Sequence, residues 1–105
     1  MTLQIVTSER VGVKYDAGKP RLDLLPWDAV LACGETLAYG AQKYGEDNWS
    51  RVPNGRARYL AASLRHIVAF AQGEWLDAES GLPHLAHALT SLMFLYELAS
   101  KEASK

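Results

Sequence analysis

The sequence predicts an all-α fold: a small bundle of three main helices behind an ordered N-terminal loop, completed by oligomerisation. Three observations predict it. Apolar residues recur at helical spacing in three separate stretches. Segments rich in proline and glycine separate those stretches. The one β-leaning run, Leu3-Gln4-Ile5-Val6-Thr7, is short. At 105 residues the chain has the length of one domain. A domain this small buries too little surface to be more than marginally stable alone, so a homo-oligomer, dimer or tetramer, is expected.

Residues 1–13 carry the β-leaning run, as an edge strand or a loose arm. Residues 14–100 form the domain. It opens with KYDAGKPRLDLLP, an ordered loop that one glycine and two prolines keep from being helix. The first helix is predicted over 26–45, with Pro26 in its first turn and Gly45 as its stop. Val30, Gly34, Leu37, Ala38, Ala41 and Tyr44 follow its spacing. EDNWSRVPNG is a loop. The second helix spans 56–73. Leu60, Leu64, Ile67 and Ala71 make one stripe, and Tyr59, His66 and Phe70 make its neighbour. EWLDAESGL leads to the third helix over 83–100, with Pro83 in its first turn and Ser80 or Gly81 as cap. Leu85, Leu89, Leu92, Met93 and Tyr96 form its apolar face. The tail at 101–105, KEASK, is polar and expected to fray. A short connection makes the second and third helices antiparallel.

With 49% hydrophobic and 22% charged residues, the chain is globular rather than disordered. No apolar run approaches the roughly 18 residues that span a bilayer. The first residues lack a signal-peptide pattern, and the single Cys33 has no partner for an internal disulfide. A cytoplasmic protein without a membrane partner is expected. A net charge of −1 does not supply the basic face that a long nucleic acid needs. The charge is uneven, however. Residues 10–65 carry nine Lys or Arg against six Asp or Glu, a net of +3, and residues 66–105 carry two against five, a net of −3. This suits a small polyanion with bound metal, or simply an unevenly charged surface.

Two constellations could carry chemistry. Glu74, Asp77 and Glu79 are followed by His84 and His87. One helical turn separates Glu74 from Asp77, and another separates His84 from His87. Three clustered carboxylates repel one another unless a cation sits among them, and hard oxygen ligands suit Mg²⁺ or Mn²⁺. His66 lies two turns before Glu74 on the second helix. An antiparallel pair brings the end of that helix beside the start of the third, so Glu74, Asp77, His84 and His87 can converge at one end of the domain. Ordinary capping of the third helix explains the acids equally well. The second constellation is basic and aromatic: Lys14, Lys19 and Arg21 beside Gly18, then Tyr39, Lys43, Tyr44 and Trp49, then Arg56, Arg58 and Arg65. Arginine forks suit phosphate oxygens and flat rings suit a nucleobase. Any single aromatic here also reads as core.

The same residues resemble a known family. KYDAGKPRLDLLP at 14–26, YGAQKYG at 39–45 with Asn48-Trp49, Arg58-Tyr59-Leu60 with Arg65-His66, and GEWLDAESG at 73–81 with His84-Leu85-Ala86-His87 occur in the order seen in phage dATP/dGTP diphosphohydrolase-type domains. Such domains are similar to the MazG-like all-α nucleotide pyrophosphohydrolases. The resemblance implies cleavage of a deoxynucleoside triphosphate to monophosphate and pyrophosphate, with Mg²⁺ on helix-borne carboxylates. It also implies a helical bundle completed by oligomerisation, and a phage link to management of the nucleotide pool. The wider family carries two acidic pairs. Here Glu74 and Asp77 supply one, while His87 and Ser91 stand where the second is sought.

On this reading Glu74 and Asp77 hold metal, and Glu79 is a third ligand or the general base. His84 and His87 complete the shell. Lys14, Lys19, Arg21, Lys43 and Arg65 take phosphate charge, and Tyr44, Asn48 and Trp49 hold the purine base. The alternative is a protein of the same fold that binds a nucleotide, or a cyclic-nucleotide signal, without cleaving it. A purely structural helical protein leaves the loop motifs unexplained.

Overall fold

The computed structural model describes residues 10–104. The run at Leu3–Thr7 lies outside them. Among the described residues there are three α-helices and no extended strand. These are α1, Trp27–Tyr44; α2, Gly55–Ala71; and α3, His84–Ala103. Short 3₁₀ turns cover Leu22–Leu24 and Asn48–Arg51.

Prolines and glycines set the boundaries, with small displacements from expectation. Pro26 and Pro83 stand just before their helices as N-caps rather than inside the first turn. Neither Ser80 nor Gly81 caps α3. Gly45 ends α1 at φ 91°, its N–H bonded to the Ala41 carbonyl at 2.7 Å. Lys101 to Ala103 continue α3 where fraying is expected.

α3 is the centre. Both α1 and α2 pack on it, and the α2–α3 pair is antiparallel. Gly55 meets Leu98, the Tyr59 ring meets Phe94, and the His66 ring meets His87. Arg56 at the start of α2 pairs with Glu102 at the end of α3. The contact is made by small side chains. Ser63, Ala86, Ala88 and Thr90 are buried, as is Thr36 on α1. Small residues let helix backbones approach closely, and each buried hydroxyl bonds the carbonyl four residues back. A Cβ on Gly55 would stand 3.1 Å from Leu98 Cδ1, which is how close the helices come there.

The large apolar stripes lie elsewhere. Leu60, Leu64 and Ile67 on α2 and Leu89, Leu92 and Met93 on α3 are each between 39% and 51% exposed. Periodicity marks an apolar face without saying which element covers it, and in the single chain these faces are open. An aromatic cluster fixes the 3₁₀ turn at 48–51. Trp49 stacks on Phe94 at 4.8 Å and 5°, and Tyr59 OH donates to the Trp49 carbonyl at 3.1 Å.

Candidate functional site

Backbone geometry at the end of α2 builds the site. Gly73 adopts φ 98°, and its N–H bonds the Phe70 carbonyl while that of Glu74 bonds Ala69. This Schellman turn needs a left-handed residue, which glycine supplies without strain. Residues 74–83 are then not helical. They fold back as a tight loop, with the Asp77 N–H on the Leu82 carbonyl, an isolated bridge between Leu76 and Pro83, and the His84 N–H on the Trp75 carbonyl at 2.9 Å. The helical turn expected between Glu74 and Asp77 is therefore absent. Two glycines and a proline favour the folded-back loop, and that loop, not a helix face, sets both carboxylates.

Four elements of chemistry meet here. His66 from α2 and His84 from α3 bring their Nδ1 atoms to 2.8 Å. His84 is buried, and its Nε2–H donates to Glu74 Oε1 at 3.0 Å. One ligand atom each from His66, Asp77 and His84 lies within 4.8 Å of the others. The Asp77 carboxylate also accepts the Ser80 N–H at 2.9 Å. His87 stacks on His66 at 4.6 Å and bonds Ser80 Oγ through Nε2 at 2.7 Å. Two imidazole nitrogens and a carboxylate oxygen this close are a donor set that fits a divalent cation.

Electrostatics follow the packing. Burial pushes His66 below the ordinary imidazole range, with the neighbouring His87 and His84 acting the same way. Burial also lowers His87. For Asp77 burial opposes the charge, but its bonds from the Ser80 backbone and hydroxyl outweigh that and carry it below the usual carboxylate range. His66 and His87 are thus neutral beside an ionised Asp77 at neutral pH.

The other expected residues are placed differently. Glu79 turns away from the His66–Asp77–His84 group and pairs with Lys43 of α1, with Tyr39 OH at 3.5 Å. That ion pair lowers Glu79 and raises Lys43. Among the expected metal residues, His87 serves Ser80, and Glu74 reaches the far nitrogen of His84. Lys43 also lies over the Tyr44 ring, 5.0 Å from its centroid, and Tyr44 is 61% exposed. Trp49 has one ring face covered by Phe94, and Asn48 is half-buried beside it. Arg65 is exposed on α2 next to His66. Lys14, Lys19 and Arg21 lie on an exposed segment whose described hydrogen bonds are local: a turn closed by Lys19 N–H to the Asp16 carbonyl, and Arg21 forked onto Asp23 at 2.8 and 2.9 Å. The expected ligand set omitted His66. Its signal was available: in an antiparallel pair it lies one turn from the end of α2, level with the start of α3.

Comparison with known proteins bears on what this arrangement does. The family described as dATP/dGTP diphosphohydrolase, N-terminal, matches residues 9–105. A dATP/dGTP diphosphohydrolase of Salmonella phage PMBT28 is 38% identical over 87 residues, 83% of this chain. The match spans 29% of that relative's length. No solved structure gives a significant match.

Proposed function

The chain belongs to the dATP/dGTP diphosphohydrolase N-terminal family, and on that premise we propose that it hydrolyses purine deoxynucleoside triphosphates to monophosphate and pyrophosphate. The observation that carries the reading is the meeting of Glu74, Asp77, His66 and His84 at one end of the α2–α3 pair. Mg²⁺, or Mn²⁺ in its place, is the proposed cofactor, with Glu74 and Asp77 as oxygen ligands, Glu79 as a third ligand or the general base, and His84 and His87 completing the shell. A divalent cation, when bound, neutralises triphosphate charge and acidifies water. The chain's own residues supply the rest. Water oxygen joins the α-phosphorus, the bond to the bridging oxygen breaks, and pyrophosphate leaves with that oxygen. Lys43, paired with Glu79, and Arg65, exposed next to His66, take phosphate charge. A triphosphate competes with Glu79 for Lys43, and the freed carboxylate then serves as the third ligand or accepts the water proton. Lys14, Lys19 and Arg21 serve the outer phosphates, and Tyr44 with Asn48 and Trp49 serves the base.

One observation favours a non-hydrolytic binder: the α3 positions sought for a second acidic pair hold His87 and Ser91, and His87 is tied to Ser80. The test is a panel of dATP, dGTP, dCTP and dTTP with Mg²⁺, read by chromatography. Release of dAMP or dGMP with pyrophosphate is expected, and Glu74→Gln should abolish it while leaving the fold intact. Intact nucleotides with a thermal shift would favour the binder. Diphosphate and phosphate as products would mean that a different bond is cut.

The open stripes on α2 and α3 support a homo-oligomer. No helix of the described residues is long and apolar enough to cross a membrane.

A further inference from the structure

We propose that His66, His84 and Asp77 form a three-donor site that takes a transition-series divalent cation, such as Mn²⁺, Co²⁺ or Zn²⁺, in preference to Mg²⁺. His84 is only 5% exposed, and its backbone N–H is fixed on the Trp75 carbonyl. Glu74 accepts the Nε2 proton at 3.0 Å, which leaves the Nδ1 lone pair as the free one. A carboxylate on the far nitrogen is how a metal-binding imidazole is oriented and its basicity raised. That free lone pair faces His66 Nδ1 at 2.8 Å, with an Asp77 carboxylate oxygen inside the same 4.8 Å cluster.

The spacing is close to that of ligands. Two imidazole nitrogens held at about 2.1 Å from one ion stand roughly 3.0 Å apart at an octahedral right angle and roughly 3.4 Å apart in a tetrahedron. The rings need to part by only a few tenths of an ångström. Both are held for that geometry: His66 by stacking on His87, which is itself bonded to Ser80, and His84 by Glu74 and Trp75. Asp77 is held by the Ser80 N–H through one oxygen. Imidazole nitrogen suits Mn²⁺, Co²⁺ and Zn²⁺, whereas Mg²⁺ demands oxygen and gives up its water reluctantly. Three protein donors also leave positions open for water or a phosphate oxygen. The competing account is a plain hydrogen bond, with His66 Nδ1–H donating to His84 Nδ1.

A part in nucleotide hydrolysis rests on the function proposed above; cation binding does not. The test is therefore made first without nucleotide. Chelator-treated, dialysed chain is titrated calorimetrically with ZnCl₂, MnCl₂, CoCl₂ and MgCl₂, and its melting is followed in each. One transition ion per chain, at least tenfold tighter than Mg²⁺ and with a raised melting temperature, is expected. His84→Gln places an amide where Nε2 stands, keeps the Glu74 bond and removes Nδ1. It and His66→Gln should each weaken binding by about 10- to 100-fold. Circular dichroism checks that both fold, and the cation order in the unaltered chain stands whether or not they do. Zn²⁺, Mn²⁺ and Co²⁺ binding no tighter than Mg²⁺, or binding unchanged in both folded variants, overturns the proposal in favour of the hydrogen bond. Tight cation binding without any turnover would sink the hydrolase and leave the site.

Discussion

Asp77 carries two separable tasks. One carboxylate oxygen accepts the Ser80 N–H and closes the turn that precedes α3, while the carboxylate as a whole belongs to the His66–His84 cluster. Asp77→Asn keeps an oxygen for Ser80 and loses the charge, so it should retain the melting temperature to within a few degrees and lose at least about 100-fold in turnover. Asp77→Ala loses the turn as well, at about 1 kcal/mol. If Asp77→Asn turns over like the parent, the carboxylate has no part in the chemistry. The buried imidazoles make a second prediction. His66 and His87 lie below their ordinary range in the fold, but an unfolded chain takes up protons near pH 6.5. Between those values the unfolded state binds more protons, so stability rises with pH there. The loss begins as pH falls through about 6.5 and continues to the lower folded values. Urea midpoints in chelator should fall across that window and be flat, for these groups, above it. A midpoint that rises on acidification contradicts the burial of these rings.

Among the elements, the turn between α2 and α3 governs the site. Its geometry depends on Gly73 at φ 98°, a conformation that L side chains rarely adopt. There is open space around a Cβ at this position, so strain rather than crowding sets the effect of substitution. Gly73→Ala should cost about 1–2 kcal/mol by denaturant unfolding. Because Glu74 follows it directly, turnover should fall by more than the stability loss explains. Full activity in Gly73→Ala would mean that the Schellman turn does not position Glu74. The aromatic cluster of Trp49, Phe94 and Tyr59 ties the 48–51 turn to the α2–α3 pair.

For the whole molecule, the distribution of apolar surface is the main fact. The fully buried residues inside one chain are small or polar, while Leu60, Leu64, Leu89 and Leu92 of the apolar stripes stay exposed. A monomer with this many half-exposed large side chains is incompletely buried, and a second copy offers matching faces. The chain is expected to run as a dimer or tetramer in size-exclusion chromatography with light scattering. Leu64→Glu combined with Leu92→Glu should shift it towards monomer and lower its melting temperature. A monomeric parent chain would remove the argument. The basic and acidic halves of the sequence also meet here, since Lys43 from the former pairs with Glu79 from the latter beside the cluster.

The sequence by itself determined the helices, their breaks and the antiparallel pairing of α2 with α3, because periodicity, prolines and glycines act locally. It also carried the family, through motifs along most of the chain. It placed Glu74, Asp77, His84 and His87 at one end of the domain, since a short connection brings the end of one helix to the start of the next. Only the tertiary structure decided which of these groups face one another. A one-residue rotation on a helix is about 100°, so spacing alone did not separate His66, which joins the cluster, from Glu79, which is drawn to Lys43 on a helix some 36 residues away. Nor did spacing show that residues 74–83 fold back on themselves, for that depends on bonds from Trp75 to His84 and from Asp77 to Leu82. The large apolar stripes were legible as faces, but what they face depends on packing across the chain and beyond it.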